Sequence, residues 1–581
     1  MQPGYGQTAN DPHKEKRRTA VIIVSCLFLV AIVFVVAVGI TTTGRADAGS
    51  SSKDDHDDHK PESGEVSASK KAVIAICEPT EFKKTCINAL SSINSTDPRE
   101  LIKTSFNMTI KHIHHAMRRS VTLQELEKDK SGRDALRICR EQMEFAIADL
   151  RQAFAESEKF DLSKVDKLVE EVKVWLSGAL AYQETCLDGF EGTPGKAGEE
   201  MRTNLKTSEE LTRNALAIVD QLSSVIPTML PININRRLLE ASKDGYPNWL
   251  SEDKHRLLAA TPANIIPNIV VAKDGTGKYT TINEALKEVP KKNPKPFVIY
   301  VKEGIYNEIV TVTSSNVVMI GDGPLKTKVT GRKNFIDGYK TIETATFAAV
   351  GHGFVAKDMG FENSAGPEKH QAVALRVNSD RAVIYNCQMD GYQDTLYVHS
   401  HRQFFRDCVI SGTIDFIFGD AKVIFQNCKM IVRKPLPNQM NAVTAQGRRD
   451  AFEPSGIILQ GCTIAADPLF FPVRHTIKTF LGRPWKNFSR TIVMNSHMDD
   501  FIDPEGWQQW DVTKHHETCY YAEFNNVGPG SDVSKRVKWP GMKTINNDEA
   551  LKYTAQLYYK DDEWIRQTGV PYNPGMMPTP M

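Results

Sequence analysis

The chain has 581 residues and a mass of 65.0 kDa, enough for two or three domains. Its 72 Lys+Arg and 71 Asp+Glu balance, which argues against nucleic acid as a partner. Charged residues at 25% and hydrophobic residues at 41% describe an ordinary globular composition.

The N-terminus departs from that average. Ala20 to Ile40 is a run without charge; as a helix it spans roughly 30 Å, about one hydrocarbon core. Lys14, Lys16, Arg17 and Arg18 stand just before it, which predicts cytosolic residues 1–18 and a transmembrane signal anchor over 19–44. The run is long for a signal-peptide core, which favours an anchor, uncleaved or cleaved late, over a conventional signal peptide. Either way the bulk of the chain enters the secretory pathway. Residues 45–70 then read as a disordered stalk. Its tract Lys53-Asp54-Asp55-His56-Asp57-Asp58-His59-Lys60 is better explained as a solvated spacer than as a metal site.

Residues 71–225 read as helices. Leu136, Met143, Ile147, Leu150 and Phe154 form one apolar stripe, Val165, Leu168, Val172, Leu176 and Ala179 a second, and Leu211, Ala215, Ile218 and Leu222 a third. Four or so such helices make an up-and-down bundle. His112, His114 and His115 are read as surface histidines, and nothing here looks catalytic. Cys77, Cys86, Cys139 and Cys186 predict two disulfides in an exported chain. The sequons at Asn94, Asn107 and Asn487 predict glycosylation. Residues 226–264 form a proline-broken linker with two basic clusters, Arg236-Arg237-Leu238-Leu239 and Lys254-His255-Arg256-Leu257-Leu258. Such clusters suit either proprotein cleavage or a solvated basic loop.

Over 265–570 the texture changes to short β-rich runs such as Phe297–Val301, Ala382–Tyr385 and Val423–Phe425. Asp394 and Asp415 lie 21 residues apart, and Cys387 and Cys408 precede them by seven residues each. A step of that size predicts the coils of a parallel β-solenoid, with equivalent residues stacked at roughly 4.8 Å. Asp394 and Asp415 would then face each other as a carboxylate pair, walled by Tyr392, Tyr397, Phe416 and Phe418. Stacked like charges push one pKa up, so one acid keeps a proton while the other stays ionised. That suits glycoside or ester cleavage alike.

Five motifs, in order, carry a resemblance: Gly304–Glu308 (GIYNE), Gln371–Leu375 (QAVAL), Gly391–Tyr397 (GYQDTLY), Gly412–Gly419 (GTIDFIFG) and Leu481–Trp485 (LGRPW). With them, the region from Ile269 to about Trp564 resembles the plant pectin methylesterases, all-β right-handed parallel β-helix enzymes. Residues 71–225 resemble the pectin methylesterase inhibitor-like pro-region of the longer members, an all-α four-helix bundle.

The resemblance implies hydrolysis of galacturonate methyl esters in homogalacturonan, with Asp415 as nucleophile, Asp394 as proton donor and then base, and Gln371 and Gln393 as oxyanion donors. It gives Arg483 the role of holding Asp415, and Thr346, Gln371, Tyr397, Phe418, Arg483, Trp485 and Trp507 contact with the sugar. It implies disulfides Cys77–Cys86, Cys139–Cys186 and Cys428–Cys462, with Cys387, Cys408 and Cys519 free. It implies no metal or organic cofactor. It makes the basic clusters cleavage motifs of a subtilisin-like protease, acting after Leu239 (Arg237) or Leu258 (Arg256). The expected partners are pectin, a proteinaceous pectin methylesterase inhibitor and, through the N-terminal helix, the membrane. The precursor would sit in secretory-pathway membranes and the mature enzyme in the cell wall. Asp420 departs from the family, which more often has Asn there. Two other readings stay open: a pectin depolymerase on the same fold, and a membrane-tethered inhibitor or pectin-binding protein with little activity.

Overall fold

The structure, a computed structural model, describes residues 67–158, 165–229 and 266–579. The expected residues 1–18 and 19–44, nearly all of the stalk and most of the linker, including Arg237, Leu239, Arg256 and Leu258, lie outside the described residues. Among the described residues no helix is long and apolar enough to cross a membrane. The chain groups into two compact units, one up to Ser105 and one from Phe106 onward.

In the first unit, α1 (Ala68–Cys77) and α2 (Lys83–Leu90) make a hairpin closed by the Cys77–Cys86 disulfide. Ser67 starts α1, its hydroxyl accepting from the Lys70 N–H, one of the donors a helix start leaves unpaired. The helix α3 (Pro98–Leu126) begins in this unit and continues into the next.

The second unit holds α4 (Lys130–Ser157), α5 (Val165–Asp188) and α6 (Ala197–Met229). The Cys139–Cys186 disulfide ties α4 to α5. The stripe Leu136, Met143, Ile147 and Leu150 is buried as its spacing predicts. Pro227 does not end the last helix, which runs on to Met229. Helix α5 is not the one-sided helix its stripe describes: nearly every side chain from Val169 to Leu187 is buried, including Glu170, Glu171, Gln183, Glu184 and Thr185. One face meets the other helices. The opposite face meets the β-structure.

That β-structure is a parallel β-helix of three sheets with 11, 7 and 8 strands, each coil adding one strand to each sheet. The seven-stranded sheet includes β1 (Leu375–Val377), β2 (Leu396–Val398), β3 (Ile417–Gly419), β4 (Asn441–Gln446) and β5 (Thr479–Gly482). Leu375, Leu396, Ile417 and Thr444 stack in register, as do Arg376, Tyr397, Phe418 and Ala445. Inward residues such as Leu375, Phe405, Met430 and Leu459 fill the bore, so the strands read as continuous apolar runs.

The expected Cys428–Cys462 disulfide does not form: both are buried free thiols, like Cys387, Cys408 and Cys519. The two follow strands paired in register, Gln426 opposite Gln460. Side chains at matched positions of parallel coils run alongside one another and do not converge, and each thiol donates to a backbone carbonyl, Cys428 to Gln426 and Cys462 to Phe425.

Candidate active site

Asp394 and Asp415 each stand two residues before a strand, β2 and β3, with left-handed backbone, φ 64° and 52°. Asp tolerates that region better than bulkier residues, and such conformations collect at functional sites. The strands pair at a step of 21, so the two carboxyls occupy one column, and the Asp394 N–H donates to the Ile414 carbonyl at 3.0 Å.

Arg483 reaches this column from the end of β5. Gly482 lies so close to Thr444 that a Cβ would collide with its side chain, which seats the arginine's backbone against β4. Its Nε donates to Asp415 Oδ1 at 2.9 Å and its second prong to Oδ2 at 2.7 Å. This planar fork orients the carboxylate and supplies its counter-charge. Asp394 has no such partner. Burial, and then the charge of Asp415, push its carboxyl well above the ordinary range, with Arg483 opposing. The acids are thus divided: one held by a cation, one kept protonated.

The expected amides sit less regularly. Gln371, Gln393 and Asp415 follow steps of 22, not the strand register of 21, so they are not one ladder. Gln371 and Gln393 are both half-buried, and Gln371 Oε1 is buried without a hydrogen-bond partner.

Among the aromatic residues, Tyr397 and Phe418 stack at 4.2 Å, and Phe418 meets Trp485 edge-on at 6.0 Å. Trp507 must be corrected. It is 1% exposed inside the β-helix, against Tyr521, its indole N–H donating to Glu523 at 3.1 Å. Such a ring is core, not cleft. Trp507→Ala should therefore cost about 3–5 kcal/mol of stability, read by denaturant unfolding, with KM for pectin little changed. A raised KM at unchanged stability would return it to the cleft. Thr346 is likewise wholly buried, its hydroxyl without a partner, and so does not face a sugar.

Asp420, the departure noted in the sequence, accepts from Ser455 at 2.5 Å and Gln446 at 3.0 Å, and burial raises it to about 6. Asn94, Asn107 and Asn487 are exposed.

Sequence reasoning missed three neighbours of the site. Trp510 lies under the Arg483 guanidinium at 4.2 Å. His399 stacks on Tyr397 at 4.5 Å. Arg376, one coil from Tyr397 in the same column, is buried. The strand register carries the last of these, but only once the strand boundaries are known.

The helices cover this cleft. Ile138 of α4 joins Val373, Tyr397, Phe418 and Ala445 in one apolar cluster. Helix α5 lays a row of polar groups on the β-helix: Glu170 on Lys422, Glu171 on Arg402, Thr185 on His399 at 2.8 Å, and Glu184 on Arg449 and Lys486. Arg402 is fully satisfied, its fork shared between Glu171 at 2.6 and 2.9 Å and Asp380 at 2.9 and 2.6 Å. Asp149 of α4 reaches His401 at 2.8 Å past Gly178, where a Cβ would collide with the aspartate and come within 2.6 Å of the imidazole.

A parallel β-helix with a divided carboxylate pair, an arginine fork and an aromatic wall defines a hydrolase of the esterase type. Residues 268–562 match the pectinesterase family model, and residues 71–218 match that of plant invertase/pectin methylesterase inhibitors. Probable pectinesterase/pectinesterase inhibitor 21 of Arabidopsis thaliana is 48% identical over 99% of this chain and 85% of its own length. Putative pectinesterase/pectinesterase inhibitor 28 of the same plant is 46% identical over 98% and 76%. The solved pectin methylesterase from carrot is 45% identical, with a TM-score of 0.53, over 53% of this chain and 98% of its own. The chain belongs to the pectinesterase family. It is a carboxylic ester hydrolase with an inhibitor-type domain ahead of the catalytic one.

Proposed function

We propose that the β-helix hydrolyses galacturonate methyl esters of pectin through an acyl-enzyme on Asp415, and that the helices hold it latent until they are released. The carrying observation is the division of the acid pair by Arg483. A carboxylate oxygen of Asp415 attacks the ester carbonyl carbon. The negative oxygen that develops takes amide N–H donation from Gln371 and Gln393, each such donor being worth about 3 kcal/mol in the transition state. The C–OCH₃ bond breaks, and the Asp394 proton goes to the leaving methoxide, giving methanol. Asp394, now ionised, takes a proton from water, which attacks the acyl carbon and frees Asp415. Tyr397, Phe418 and Trp485 supply the sugar-packing faces.

The test is methanol release from esterified pectin without chain shortening. New reducing ends or unsaturated products would instead mean a depolymerase. The exposed sequon asparagines fit glycosylation, and the family fits a cell-wall destination. Anchoring through 19–44, cleavage after Leu239 or Leu258 by a subtilisin-like protease, and capture of the freed enzyme by a separate inhibitor protein complete the reading.

Arg483→Lys keeps the charge but loses the planar fork, leaving Asp415 free to turn. The expected loss in kcat is on the order of 100-fold, as for a small misplacement of a reacting group. The proton donor must be protonated to act, so activity falls as pH rises through the Asp394 pKa. With the lysine's more mobile charge that falling limb should shift. A pH–rate profile and kcat equal to wild type would reopen the assignment of the two acids.

A further inference from the structure

Arg376 is a buried cation that the seating of the helices does not explain. It is 8% exposed, its Nε has no hydrogen-bond partner, and one terminal nitrogen makes a 3.4 Å bond to the Ile342 carbonyl. The acids that act on it do so through space: Glu141, and Glu343, which is itself engaged by Arg137. Other cations under the helices, Arg402, Lys422, Arg449 and Lys486, each meet a carboxylate of α5. A desolvated guanidinium without a counter-ion destabilises the covered state. Its place in the fold points elsewhere: it stacks in register with Tyr397 and Phe418, on the coil next to that of Asp394, where Val373 holds the position of the catalytic acids.

Resting on the pectinesterase reading, we infer that Arg376 is a carboxylate subsite of the open cleft, taking the free carboxylate of an unesterified galacturonate beside the ester being cleaved. Guanidinium is suited to this, since its fork matches a carboxylate in two-pronged fashion while a methyl ester offers it no charge. The enzyme would therefore favour esters next to already hydrolysed sugars, and product made at one step would improve binding at the next.

The test compares Arg376→Gln and Arg376→Lys in residues 265–581, the part that by itself matches 98% of the carrot enzyme. Methanol release is followed on a fully methyl-esterified and on a half-esterified galacturonate oligosaccharide. Wild type should show the lower KM on the half-esterified one; Arg376→Gln should shrink that KM ratio about tenfold, with partial rescue by Lys. In the full-length chain the same Gln variant should melt higher than wild type, because an uncompensated charge has been removed from under the helices. An unchanged KM ratio, equal rises in both KM values, or a lower melting temperature overturns the subsite. Wild type that releases methanol from neither oligosaccharide would sink the pectinesterase reading itself.

Discussion

Asp415→Asn is expected to reduce methanol release by roughly 10⁴-fold or more, the scale on which a lone covalent nucleophile is lost from a hydrolase. The amide matches the carboxylate in size and tolerates the left-handed backbone at this position, so the coil should keep its shape. It cannot attack the ester carbon, and it cannot accept both prongs of Arg483. The arginine keeps the face of Trp510 and some access to solvent, which limits the damage to the fold. Circular dichroism and thermal melting should therefore stay near wild type while turnover disappears. Near-normal turnover by this variant would remove Asp415 from the covalent role.

Gly178→Ala should make the full-length chain more active. Alanine is the better helix former by about 1 kcal/mol, so α5 itself does not suffer. The added methyl has nowhere to go between Asp149 and His401. Overpacking of this kind costs about 1–3 kcal/mol, or roughly 5- to 150-fold in the balance between seated and released helices. The gain should be visible as methanol release by the uncleaved chain, approaching that of residues 265–581. A variant as slow as wild type, or a wild type already as fast as the catalytic part, would contradict latency. The pH dependence has a definite sign. Burial, and then Glu184, push Asp188 up to about 7 against the pull of Lys486. A carboxyl raised in the seated state favours seating below that pH, and this contribution is lost as pH rises through about 7. Glu184 moves the other way: burial acts against its ionisation, but Arg449 and Lys486 prevail and hold it low, so its contribution is lost only in acid.

The solenoid and its acid column were legible because a parallel coil repeats its chemistry at a nearly fixed step: Asp394 and Asp415 show the same 21 residues in sequence as in register. Gln371 and Gln393 mislead by the same logic, since a one-residue offset in a turn is invisible to a count. Trp507 failed for a different reason, because tryptophan near a cleft and tryptophan in a bore have the same one-letter signal, and only its bond to Glu523 tells them apart. The double life of α5 was hidden by its acids. Glu170, Glu171 and Glu184 look like a solvated face until Lys422, Arg402 and Arg449, more than 200 residues later, come to meet them.

The thiols in the bore also bear on how the molecule is made. Cys387, Cys408, Cys428 and Cys462 are sealed by the coils stacked above and below them, while four other cysteines bond in pairs. In an oxidising lumen every one of these sulfurs begins as a competitor for the same oxidant. Correct pairing then becomes a race, in which the solenoid must close around its own cysteines before the helices find theirs. A substitution that slows coil stacking without weakening the finished fold should appear as mispaired, retained chains, and a reducing agent given early in synthesis should rescue them.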